Sequence, residues 1–413
     1  MKRAIFPGWW QVTAAFTVQG ISAASVFTAY SVIAVALNTA FEPSRMVLML
    51  GITMTSLAAG ITSPALGAVI DRYSLRTLMM LGAGFLAAGF FLISFSSSMI
   101  QVLGVYMVCM AAASVLLGPM ATSALLARWF ERRRGLAMGI AASGTAAGGL
   151  LIPPLLQGLI DTFEWRMALR IFAVLALVST GTVIALLVVN RPEDRKLRPD
   201  GLDDAPADTP PGLPPAPASF GKVARSASFW LISLAMGAIF GSSVGIGSNL
   251  MPYVVEKGIS LELGALLLSV LSGANLAGKL LCAAAADRVG LRLLMMSNLA
   301  LLSLGILSYM LAASYPMVVL SIVVIGFSSG GALPLWSIIV ARIYGPASVG
   351  SVMGLMNFVI MPFTLASAPL LGWIFDLTGS YRNGLIGLSC LLFLMLLLML
   401  RLRPEQAAAP TPA

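Results

Sequence analysis

Lys279 is an ammonium group set in an apolar run, residues 263–286, that otherwise holds Asn275, small residues and aliphatics. Lys279 and Asn275 are spaced i, i+4, so a helical run places both on one face. A charge at bilayer depth costs at least a few kcal/mol, and such charges usually face a cavity or a partner. All 16 Asp and Glu fall in loops, at the ends of apolar runs or in a polar central stretch. The counter-charge for Lys279 is expected from outside the chain, an anionic ligand foremost; the alternative is a lysine that snorkels to the membrane interface.

Two further constellations repeat. Gly67-x-x-x-Asp71-Arg72-x-x-x-Arg76 follows the second apolar run, and Ala283-x-x-x-Asp287-Arg288-x-Gly290-x-Arg292 follows the eighth. An acid at a helix end beside arginines suits an ion pair that forms and breaks, so Asp71, Arg72, Arg76, Asp287, Arg288 and Arg292 are gating candidates. The same arginines could simply set topology. Enzyme chemistry finds no support: the chain has no His, no metal-ligand cluster and no nucleophile–base pair. Cys109, Cys282 and Cys390 sit in apolar runs at unrelated positions, and the 23 Met lack spacing. No cofactor or metal is expected.

These residues must be positioned by membrane helices. The chain is 413 residues long, 59% hydrophobic and 10% charged, with mean hydropathy +0.95. A soluble protein of this size carries about 25% charged residues. Twelve apolar runs are each long enough to cross about 30 Å of hydrocarbon: 9–38, 46–70, 75–97, 99–127, 135–160, 166–190, 227–253, 262–286, 291–313, 316–341, 349–374 and 381–401. The first is too long for a cleaved signal peptide and reads as a span. Of the 25 Lys and Arg, 19 fall on the side shared by both termini, five fall on the other side, and the last is Lys279. Lys and Arg mark cytoplasmic loops, so both termini are expected inside. The net charge of +9 is thereby explained without a nucleic-acid partner. The expected fold is an all-α membrane protein of two pseudo-symmetric six-helix halves, residues 1–190 and 225–403. A Pro- and Asp-rich cytoplasmic linker, 191–224, divides them, and a disordered tail, 404–413, follows.

The two Asp-Arg loops lie 216 residues apart, about half the chain, and each follows the second helix of its half. Twelve spans, a charged central linker and paired Asp-Arg loops resemble the major facilitator superfamily over nearly the whole chain. Ser74 stands where that family usually has Gly, and Ala283 replaces another Gly. Several stretches resemble the monocarboxylate transporter and oxalate/formate antiporter branch: Gly8-Trp9-Trp10 at the first helix; Trp129-Phe130-Glu131-Arg132-Arg133-Arg134-Gly135-Leu136-Ala137-x-Gly139 entering the fifth; Asn249-Leu250-Met251-Pro252-Tyr253 with Gly258-Ile259-Ser260 after the seventh; Leu267-Leu268-Ser269 in the eighth; and Gly372-x-x-x-Asp376-x-x-Gly379-Ser380-Tyr381 ending the eleventh.

The resemblance implies alternating access, with the Asp-Arg loops locking the cytoplasmic side. It implies that the position of Lys279, Arg in the family, binds a substrate carboxylate. Lys offers a point charge instead of a bidentate fork. Asn249, a further substrate-binding candidate, stands where many bacterial members carry His, which removes a side chain that titrates near neutral pH. Lys279 is then the remaining titratable candidate in the membrane. If it takes up a proton with each carboxylate the result is symport, and if it stays charged, exchange or uniport follows. Tyr30, in Tyr30-Ser31-x-x-Ala34, and Asn357 are further substrate-binding candidates, although interhelical hydrogen bonding is the commoner role of such residues. The expected function is secondary transport of small organic anions, monocarboxylates foremost, by a monomer in the plasma membrane, the inner membrane of a bacterium. The alternatives are an efflux pump for drugs or other metabolites, which for cations usually needs the embedded acid missing here, and a non-transporting sensor, which lacks a signalling domain.

Overall fold

In a computed structural model, the structure describes residues 6–201 and 220–400. Most of the expected linker and the tail lie outside the described residues. Twelve helices long and apolar enough to cross a membrane follow one another, and no strand occurs among the described residues. We number them α1 (Gly8–Phe41), α2 (Met46–Arg72), α3 (Leu75–Ile93), α4 (Met99–Trp129), α5 (Arg134–Thr162), α6 (Trp165–Leu187), α7 (Ala227–Val254), α8 (Glu262–Ala286), α9 (Leu291–Leu311), α10 (Tyr315–Tyr344), α11 (Pro346–Thr378) and α12 (Arg382–Met399). Hydrocarbon offers no hydrogen-bond partner, so each apolar segment satisfies its backbone internally as a helix.

Polar caps set several starts. Ser44, Ser74 and Ser260 each accept a backbone N–H three residues on, which satisfies one of the orphan donors of a helix start. Gly345 and Gly379 take left-handed φ of 79° and 70° at the turns after α10 and α11, where a side chain would be strained. Two helices depart from regular geometry. A π-helical turn spans Ala24–Thr28 in α1 and another spans Tyr106–Met110 in α4. Each turn holds one residue more than an α-turn, and the carbonyl of Tyr106 accepts a bond from the Thr55 hydroxyl on α2 at 3.2 Å.

The described residues form two compact units. The first holds residues 6–201 with Tyr344–Leu355, and the second holds 220–343 and 356–400. In the first, α1 and α5 meet backbone to backbone. A Cβ on Gly144 would lie 2.1 Å from the Phe16 carbonyl, and one on Gly148 would lie 2.1 Å from that of Gly20. Phe90 of α3 and Phe172 of α6 add an edge-on aromatic pair at 4.8 Å. The second unit uses the same device between α8 and α10. A Cβ on Gly278 would lie 1.9 Å from the Phe327 carbonyl, and one on Gly330 equally close to that of Asn275. Small residues of this kind let membrane helices approach where lipid gives no hydrophobic drive.

Part of the expected linker is folded. Residues Pro192–Arg195 and Pro199–Gly201 form 3₁₀ turns, and Phe220–Ala224 is helical. The Asp200 carboxylate accepts the backbone N–H groups of Glu131 and Arg132 at 2.8 and 2.7 Å, which holds this stretch to the loop between α4 and α5.

Candidate functional site

Lys279 is 7% exposed and buried in the second unit. Its place follows from the α8–α10 contact, because Gly278 beside it is pressed on Phe327 while Asn275, one turn earlier, is pressed on Gly330. Neither glycine has room for a methyl group, so α8 packs on α10 through this face. One turn on, Cys282 and the Asn298 amide meet Gly331, so α9 closes the same seam. Asn298 donates to the Ser328 carbonyl at 2.9 Å, and Ser243 of α7 donates to Ser329 of α10 at 2.8 Å. Asn298 thereby makes the interhelical bond expected of a polar residue inside a span.

The other expected ligands divide into two groups. The half-buried side chains of Asn275 and Asn357 make no hydrogen bond to the protein among the described residues, so their amides are available. Asn249 is committed differently, since its Nδ2 donates to the Gly245 carbonyl at 2.9 Å and the Ala368 carbonyl at 3.4 Å. It ties α7 to α11. Tyr30 belongs to the first unit, is 1% exposed, and packs edge-on against Tyr106 at 4.9 Å. Its hydroxyl donates to the Leu48 carbonyl and its ring fills the space left by Gly51.

The loop residues are engaged in ways their spacing did not announce. Asp71 Oδ1 accepts the Gly350 N–H at 2.8 Å, and Oδ2 accepts the Ser351 N–H at 2.7 Å together with the Ser351 hydroxyl. The carboxylate thus sits on the N-terminal turn of α11, where unpaired N–H groups and the helix dipole favour an anion. Gly67 allows this: a Cβ there would lie 2.2 Å from the Gly350 carbonyl. One turn deeper, the Ser63 hydroxyl donates to the Gly354 carbonyl at 2.9 Å. The expected pairing of Asp71 with the arginines of its own loop gives way to this cap. Asp287 instead lies 3.6 Å from Arg342 at the end of α10.

The arginines repeat between units. Arg76 donates to the Ala185 carbonyl and Arg292 to the Leu400 carbonyl, each at 2.5 Å, so each ties its loop to the last turn of the sixth helix of its unit. Arg128 donates to the Ile70 carbonyl at 3.4 Å and Arg342 to the Ala286 carbonyl at 2.8 Å, in both cases the residue before the loop aspartate. Cations suit these positions because helix C-termini expose unpaired carbonyls. Arg72 and Arg288 are exposed. The sequence signal for Arg128 and Arg342 was present: each follows the fourth span of its half.

A family profile described as Major Facilitator Superfamily matches residues 15–361 and, again, 250–413. Mouse monocarboxylate transporter 12 is 27% identical over 383 residues, covering 84% of this chain and 76% of that protein. Human monocarboxylate transporter 11 is 27% identical over 390 residues, covering 91% and 78%. Among solved structures, the human organic anion transporter MFSD10 (TETRAN) superposes with a TM-score of 0.72 at 18% identity over 95% of this chain and all of that one. A point variant of the E. coli fucose:proton symporter FucP gives 0.71 at 14% identity over 96% of this chain and all of the other. The fold and the relatives are those of transporters and not of enzymes. The chain belongs to the major facilitator superfamily.

Proposed function

We propose that this transporter carries small organic anions, monocarboxylates foremost, with the carboxylate held by Lys279 and oriented by the Asn275 amide one helical turn away. The observation that carries the reading is a buried cation on the seam of α8 and α10 in a chain that keeps every acid out of the middle of its spans. The matched monocarboxylate transporters support the same substrate class. Asn357 contributes a second available amide. Asn249 and Tyr30 serve by holding helices. Both termini lie on the cytoplasmic side, following the Lys and Arg distribution. The Asp71 cap on α11 and the Asp287–Arg342 pair act as the gating contacts, while Arg76 and Arg292 brace the halves that move. Proton symport and anion exchange both fit this site, and the charge state of Lys279 decides between them.

Uptake of labelled lactate, pyruvate and formate into proteoliposomes tests the assignment. Lys279→Ala should abolish uptake while leaving the amount of inserted protein unchanged, and wild-type rates in that variant would remove Lys279 from the site. Counterflow with a panel of carboxylates at two pH values identifies the preferred anion and reveals any proton coupling.

A further inference from the structure

At the foot of the first unit, where α1 begins and α6 ends, Trp10, Leu186, Leu187 and Arg195 line a cavity of about 250 Å³. Its floor is fixed. Gln11 donates to the Leu187 carbonyl at 2.7 Å and accepts the Val189 N–H at 3.1 Å, which binds the end of α6 to the start of α1. Its polar side is also built. Asp194 accepts the Arg191 N–H at 3.1 Å, and Pro192 is buried, so the turn Pro192–Arg195 brings Arg195 to the cavity mouth. Trp10 is 53% exposed and Leu186 70% exposed.

The lining of the cavity is thus amphipathic. Leucines and an indole lie at the ends of two membrane-spanning helices, which is the depth at which Trp concentrates at membrane interfaces. Arg195 adds a basic side chain to the same lining. Arg191, Arg195, Lys196 and Arg198 stand within eight residues of chain directly after α6, against Glu193 and Asp194. Basic clusters of this size next to a membrane helix attract anionic lipid. Arg also matches phosphate by forming two parallel hydrogen bonds.

We infer that this cavity is a binding site for one anionic phospholipid, with its phosphate on Arg195 and the upper part of an acyl chain against Trp10, Leu186 and Leu187. The basic residues after α6 then act as a lipid anchor besides directing insertion. The site lies on the first unit and does not depend on which anion is transported.

Native mass spectrometry of the full chain, loaded with equal amounts of phosphatidylglycerol and phosphatidylcholine, tests the site. Wild type should retain phosphatidylglycerol preferentially, with retention falling as salt rises. Arg195→Gln should lower it about fivefold, the effect expected for one basic residue at an anionic surface. Trp10→Ala should weaken retention without changing its salt dependence. Arg195→Lys should preserve most of it, and Lys222→Gln, which removes an exposed charge elsewhere, should preserve all of it. Equal retention of the two lipids would overturn the proposal, as would undiminished binding by Arg195→Gln. Displacement of the lipid by excess inorganic phosphate would make the site one for a soluble anion, and a dimer that excludes lipid would make it a surface for a second copy. Either result also defeats it.

Discussion

In the proposed site, Lys279 brings anion binding and proton coupling onto one titratable group. Replacing it by Arg keeps a positive charge at the same depth while removing any ability to give up the proton at working pH. If Lys279 is loaded with a proton and a carboxylate together, wild-type uptake rises as external pH falls, and Lys279→Arg flattens that response while still binding the anion. A variant whose uptake keeps the wild-type pH profile would move proton coupling elsewhere. The cation and Asn275 were legible from sequence because a charge inside an apolar run has few explanations. The hydrogen bonds of Asn249 and Tyr30 were not. Whether an amide meets a ligand or a neighbouring carbonyl depends on how helices are rotated against each other, and Gly245, Ala368 and Leu48 lie far from any motif.

At the level of elements, the cap of Asp71 on α11 is the contact whose loss should matter most. Removing an N-terminal cap costs roughly 0.5–2 kcal/mol. Asp71→Ala should therefore loosen the α11 start, and a cysteine placed by Ser348→Cys, at a buried position in its first turn, should react faster with a water-soluble maleimide. Asp71→Asn should fall between the two, since an amide oxygen can still accept one N–H. Equal labelling in all three would rule out Asp71 as a gating residue. The twelve spans themselves were readable because bilayer thickness dictates their length. The π turns were not, because one added residue per turn leaves the hydropathy of α1 and α4 unchanged. The tight glycine contacts were only half legible: Gly144 and Gly148 stand four residues apart in one span, whereas Gly278 and Gly330 gain meaning only once α8 lies on α10.

At the scale of the whole molecule, the internal repeat reaches beyond the Asp-Arg loops to the carbonyls they bind. Arg76 on Ala185 and Arg292 on Leu400 close each unit upon itself, as do Arg128 on Ile70 and Arg342 on Ala286. None of these ties runs through residues 202–219. A gene split there, giving two separately translated pieces, would leave each piece with its own set of helix-end bonds. Co-expressed pieces should complement one another and restore uptake in the proteoliposome assay, whereas either piece alone should insert and transport nothing. Complete failure of the pair would show that covalent continuity is itself required. In such a two-chain protein, the hold of Asp71 on Gly350 and Ser351 becomes a bond between separate polypeptides, and its strength could be read directly from how readily the pieces part.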